Sequence, residues 1–187
     1  MTRMTLAERR QTLIAAALRV VARQGVAAAT TRAIASEAGM PLASFHYAFE
    51  SHQALMTQAY TQLVAEELER EAKQPLAAGS ESEVVGQILS AHLEDLMVRR
   101  SQHQAVFEMA DHLLRTADQS AVPARFRTER VQSMAKRLGE AGVAQPEEAA
   151  EATVTVLEGL TQSLVTTGDE QAARRAIGYW SGMRAAS

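Results

Sequence analysis

A chain of 187 residues with 47% hydrophobic residues, 4% aromatics and four prolines is long enough for one or two helical domains with their own cores. It has no cysteine, which excludes disulfides, thiolate metal sites and thiol nucleophiles. No apolar run reaches membrane-spanning length and the N-terminus lacks a signal-type apolar core, so a cytoplasmic protein without a membrane partner is expected. The net charge of −3 argues against a general polyanion binder, yet residues 1–50 carry six arginines against three glutamates, a local +3 that leaves −6 on the rest. A basic end joined to an acidic body is the layout of a protein that meets phosphate at one end.

In chain order, Met1–Met4 reads as a loose arm in which Arg3 can reach phosphate. Thr5-Leu6-Ala7-Glu8 is a capping box that opens a helix ending at Gln24, with Gly25 as its stop. That helix buries Leu13 or Ile14, Ala17, Leu18 and Val21, and its polar face carries Arg9, Arg10, Arg19 and Arg23, read mostly as solvated arginines. Thr30 or Thr31 caps a short second helix with Ile34, Ala35 and Ala38 on one face. Gly39 ends it, and Pro41 fits the first turn of a third helix, about Pro41 to Tyr47. Phe45 and Phe49 point inward, leaving Leu42, Ala43, Ser44, His46 and Tyr47 exposed. Two short helices and a tight turn with polar groups facing out form a helix-turn-helix.

Gly25, Thr30-Thr31-Arg32, Ile34-Ala35, Ala38-Gly39, the run Ser44-Phe45-His46-Tyr47-Ala48-Phe49 and Ser51 to Leu55 together resemble the DNA-binding domain of the tetracycline-repressor (TetR) family over about residues 8–57. The resemblance implies that Thr31 contacts phosphate and that Arg32 reads a base edge. Leu42, Ala43, Ser44 and His46 lie where the recognition helix meets the major groove, Leu42 and Ala43 suited to thymine methyls and Ser44 and His46 to hydrogen bonds. Tyr47 can donate to a phosphate. This chain departs from the family in two places: Glu50 and His52 stand where lysine is common, and His46-Tyr47-Ala48-Phe49 replaces a tyrosine-x-tyrosine-phenylalanine run. His52 and the backbone N–H groups at the start of the fourth helix remain as phosphate ligands.

Ser51 caps a fourth helix running to about Lys73 with Leu55, Met56, Ala59, Tyr60, Leu63 and Val64 at helical spacing, and Pro75–Ser82 is the clearest break after it. Further helices are expected over about Glu81–Arg100, Ser101–Ala117, Ala124–Glu140 after Pro123, Pro146 to Gly168, and Asp169 to about Arg184. The expected fold is all-α with about nine helices: a helix-turn-helix domain over 1–50, then an antiparallel helical effector-binding and dimerisation domain over 51–187. The last two helices have apolar faces broader than one core requires, which places Val154, Leu157, Leu160, Leu164, Ala173, Ile177 and Trp180 at a homodimer interface; the resemblance implies a four-helix bundle there.

His92, Met97, His103, Phe107, Met109, His112, Phe126 and Met134 are the candidates to line a pocket for a small-molecule effector. The histidines lack the i, i+4 spacing of a two-histidine metal ligand set, so no metal and no cofactor is expected. There is no Gly-rich phosphate loop, nucleophile elbow or metalloprotease motif, and an enzyme is not expected. The reading is a ligand-responsive repressor that binds a palindromic operator as a homodimer. A dimeric helical sensor or scaffold without sequence-specific DNA binding is the alternative.

Overall fold

The computed structural model describes residues 4–116 and 118–183. Among these it has nine α-helices and no strand: α1 (Leu6–Gln24), α2 (Thr31–Glu37), α3 (Leu42–Ala48), α4 (His52–Lys73), α5 (Glu81–Val98), α6 (Arg100–Leu114), α7 (Ala121–Glu140), α8 (Pro146–Thr167) and α9 (Glu170–Met183), with a 3₁₀ turn at Val26–Ala28. Arg3 of the expected phosphate-reaching arm lies outside the described residues.

Local chemistry sets most of these boundaries. Thr5 N–H donates to Glu8 Oε2 at 2.7 Å and Glu8 N–H returns to Thr5 Oγ1 at 3.2 Å, so two otherwise orphaned donors at the start of α1 are satisfied. Thr30 accepts from Ala33 N–H at 3.2 Å and Ser51 from Ala54 N–H at 3.0 Å, opening α2 and α4. Ser80 and Glu83 repeat the capping box at α5.

Two boundaries differ from the sequence reading. Pro41 is the cap of α3, with ψ 147°, and not its first helical residue. Pro123 lies in the first turn of α7 and not before it. Both follow from one fact: the first N–H groups of a helix have no acceptor, so proline at or just inside the start costs no hydrogen bond.

The chain forms two compact units. One comprises the residues up to Ala65 together with Ser101–Ala124, the other Glu66–Arg100 together with the residues from Arg125 onward. In the first, α1, α2 and α3 pack on one another, burying Leu13, Ile14, Ala17 and Val21 of α1, Ile34 and Ala35 of α2, and Phe45 and Ala48 of α3. Each large side chain so buried contributes about 1.5–3 kcal/mol, which holds helices of seven residues that are unstable alone. In the second, α5 packs on α8 and α9 around Val84, Ile88, Leu89, Leu93, Leu96, Val154, Leu157 and Leu164, with Met134 and Leu138 of α7 in the same core. No helix among the described residues is long and apolar enough to cross a membrane.

Candidate nucleic-acid interface

The turn between α2 and α3 is closed by its own backbone: Gly39 N–H donates to Ser36 O at 3.0 Å and Met40 N–H to Ala35 O at 2.9 Å. Gly39 sits at φ +64°, a left-handed conformation that a side chain would strain. Phe45 at 1% exposure anchors α3, its ring 5.6 Å from His46 edge-on and 6.0 Å from Phe49. With that face buried, the opposite one carries exposed Ala43, His46 and Tyr47 (69% exposed) and half-buried Leu42 and Ser44. Thr31 is half-buried and Arg32 exposed at the start of α2.

The arginines of α1 have jobs that the sequence did not disclose. Arg9 Nη1 donates to Ser44 Oγ at 2.7 Å, and its guanidinium lies 5.6 Å from the centre of the Tyr47 ring. Arg10 Nε donates to Ala48 O at 2.9 Å, closing the C-terminal end of α3, and lies over Phe49. Arg19 pairs with Glu37 at 2.7 Å and Arg23 pairs with the same carboxylate, tying α1 to the end of α2. Those two guanidiniums hold Glu37 below the usual carboxylate range. Spacings of 14 to 38 positions leave no local signal by which such partners are recognised.

His52 Nε2 lies 2.6 Å from Ala29 O, so one ring nitrogen is occupied in fastening the start of α4 to the segment before α2. In the same unit Glu108 of α6 accepts the Val26 N–H at 3.1 Å. A β-carbon at Gly25, which has φ +81°, would stand 3.1 Å from that carboxylate oxygen.

Residues 13–59 match the family model described as bacterial regulatory proteins, tetR family. The nicotine-responsive transcriptional repressor HdnoR of Paenarthrobacter nicotinovorans is 45% identical over 62 residues, a match that covers 33% of this chain and 32% of that protein's length. The similarity to solved structures extends much further. A TetR-family member from Streptomyces coelicolor A3 is 30% identical with a TM-score of 0.72, covering 92% of this chain and 98% of the other. The chain belongs to the TetR family. The multidrug binding protein EbrR, solved with ethidium, is similar as well: 28% identical, TM-score 0.75, again covering 92% of this chain and 98% of the other.

Of the eight expected to line an effector pocket, His103, Phe107, Met109 and His112 fall in the first unit and His92, Met97, Phe126 and Met134 in the second. Met97 and Phe107 are 40% and 47% exposed, whereas His92, His103, Met109, Phe126 and Met134 are buried. His112 borders an open groove with Gly25, Val26, His52, Glu108 and Arg115.

His92 and Met134 meet at a void of about 10 Å³, room for about one water, which is enclosed by Glu67, Arg70, Glu71 and Gln74 of α4, Ile88 and Asp95 of α5, Arg137 of α7 and Leu157 of α8. Arg130 of α7 holds Glu71 through two nitrogens and reaches Glu67 at 3.3 Å, and Asp95 is paired with Arg99. Burial pushes the Glu71 carboxyl above its ordinary value, Arg130 opposes the rise and Glu67 adds to it. His92 Nε2 lies 2.8 Å from Thr161 Oγ1, while its Nδ1 is 3.9 Å from Glu71. The acids of this cluster carry no signal in the sequence, since a buried carboxylate partnered far along the chain has no local pattern to mark it.

Six of the seven residues assigned to the dimer interface, Val154, Leu157, Leu160, Leu164, Ala173 and Ile177, are 7% exposed or less and belong to the chain's own core. Trp180 remains 39% exposed and borders a shallow hollow with Ser82, Val85, Leu89, Ala152, Thr153 and Val156. The outward side of α8 presents Thr155, Gly159, Gln162 and Ser163, and that of α9 presents Gly178 and Tyr179.

Proposed function

We propose that the protein is a homodimeric transcriptional repressor of the cytoplasm that binds a palindromic operator with one α3 in the major groove of each half-site and releases it when a small molecule enters the second unit. The observation that carries this reading is the outward face of α3, where Ala43, His46 and Tyr47 are exposed and Ser44 half-buried, with Arg32 exposed at the start of α2. Thr31 and Tyr47 are positioned for phosphate and Ser44 and His46 for base edges. His52 serves the fold first, through its bond to Ala29, and its part in phosphate binding is correspondingly smaller.

Dimerisation through the outward sides of α8 and α9 is supported by Gly159 and Gly178, where an added β-carbon would meet nothing within 4 Å, leaving room for close helix approach. The effector site is proposed at the void bounded by Glu67, Glu71, His92, Asp95 and Arg137, since buried ions with a perturbed carboxyl cost stability and are retained where they serve a ligand. EbrR is solved with ethidium; a ligand of that size here has to open the void beyond the volume of one water and displace arginines that already pair with Glu67, Glu71 and Asp95. An effector that converts a 99:1 mixture of binding and released geometries to 1:99 must favour the released one by about 10⁴-fold.

The test is a gel shift against the DNA flanking the protein's own gene, titrated with salt and then with ethidium. A discrete complex that outlasts competitor DNA, weakens with salt and is lost in Arg32→Ala and Tyr47→Phe proteins that still fold is the expected result. Full affinity in both variants at fixed salt would sink the assignment of the interface.

A further inference from the structure

The acids around the void of the second unit already have their cations. Glu71 accepts from Arg130 through both of its oxygens, Glu67 lies 3.3 Å from the same guanidinium, and Asp95 Oδ1 is held by Arg99. The two arginines that line the void are served less well. Arg70 Nε is buried without a hydrogen-bond partner, and the Asp95 Oδ1 that Arg99 holds stands 3.9 Å from it, beyond hydrogen-bonding reach. Arg137, 9% exposed, donates Nη2 to the neutral carbonyl of Gln74 at 3.1 Å and pairs with no carboxylate among the described residues. Burial pulls its guanidinium below the ordinary value, and Glu71 and Glu140 oppose that only through space. One water fits the void of about 10 Å³ and can satisfy a donor, but it brings Arg137 no charge. The rest of the wall includes apolar Ile88, Met134 and Leu157.

Resting on the reading of this void as the effector site, we infer that the effector is a small monocarboxylate that accepts from Arg70 and Arg137 and lays its apolar part against Ile88, Met134 and Leu157. A cation entering here must first take Glu67, Glu71 or Asp95 from Arg130 or Arg99. An anion breaks none of those pairs, fills the idle donor of Arg70 and gives Arg137 the counter-charge it lacks. A planar carboxylate also matches the fork of a guanidinium. The same three acids limit the ligand to a single negative charge, since a second carboxylate would meet them with like sign. Entry moves Arg70, whose side chain is 30% exposed and so spans from the void to solvent, and parts the apolar side chains around a space that holds one water.

Calorimetric titration of the full-length protein at about pH 7.5, where a carboxylic acid is ionised, and at constant ionic strength tests this. The probes are hexanoate and benzoate, their near-isosteric amides hexanamide and benzamide, and hexylammonium. At least one carboxylate should bind, its amide about tenfold more weakly or worse, and hexylammonium not at all. Arg70→Gln and Arg137→Gln should each weaken that carboxylate about tenfold or more, whereas Arg175→Gln, at an exposed position on α9, should not change it. Thermal melts establish which variants fold; if Arg137→Gln does not, Arg70→Gln decides the matter.

Absence of binding by both carboxylates would overturn the inference. So would equal affinity for a carboxylate and its amide, binding that survives Arg70→Gln, or a preference for hexylammonium. Carboxylate binding that the arginine variants lose but that leaves operator affinity unchanged would uphold the site and count instead against its use in releasing DNA.

Discussion

Replacing Glu108 by alanine should loosen α6 from the turn that follows α1. Its Oε2 accepts the Val26 N–H at 3.1 Å while Gln104 Nε2 steadies Oε1 at 2.9 Å. A partly buried hydrogen bond to a charged acceptor contributes about 1.5–3 kcal/mol, against about 1 kcal/mol for a neutral pair. The ordinary length of the bond sets the loss in Glu108→Ala near the lower end, about 2 kcal/mol. Glutamine can keep the Val26 bond through its amide oxygen and forfeits only the charge, about 0.5–1 kcal/mol. If the chain melts as one cooperative unit, alanine lowers Tm by about 4–8 °C and glutamine by about half that or less. Thermal and urea unfolding followed by circular dichroism at constant m value measure both. Equal losses in the two variants, or none with alanine, would refute the view that acceptance of this one N–H fastens α6 there.

Three other outcomes are expected. Thr30→Ala removes the acceptor for Ala33 N–H at the start of α2 and should cost about 1 kcal/mol in urea unfolding, with Thr30→Ser restoring most of it. Leu89→Ala, at a site with no exposure in the second unit, should cost about 2–5 kcal/mol; retention of wild-type stability would mean that α5 does not pack on α8 and α9 as described. The raised Glu71 carboxyl makes its ionised form a liability that is present at neutral pH and disappears as pH falls through its folded-state value toward the ordinary 4.5. The stability of wild type relative to Glu71→Gln should therefore rise over that descent; a difference that stays flat, or that falls, would show that the carboxyl is not raised.

What was legible in the sequence was legible because it is local. Thr5 with Glu8, Thr30, Ser51, Gly25 and Gly39 each act on backbone groups within a few residues, so their types and spacing reveal the three head helices before any packing is known. Phe45 and Phe49 likewise declared their inward face by a spacing of four. What the sequence concealed depends on partners far along the chain. Arg9 meets Ser44 across 35 positions and Arg130 meets Glu71 across 59, and an arginine bound for a partner looks the same in sequence as one bound for water. The apolar stripes of α8 and α9 are ambiguous for a related reason: Leu157 and Ile177 show that a buried side is needed, and nothing in the stripe says whether the covering helix belongs to the same chain.

Trp180 is the only tryptophan in the chain, and it sits on α9 against Val85, Leu89 and Val156. Its emission is thus a built-in gauge of the second unit, with the head, whose aromatics are phenylalanines and tyrosines, silent in that channel. Paired with the anisotropy of a labelled operator, this gives one sample two independent dials. A compound that moves both acts through the second unit, and a compound that moves only the DNA signal competes at the recognition helix.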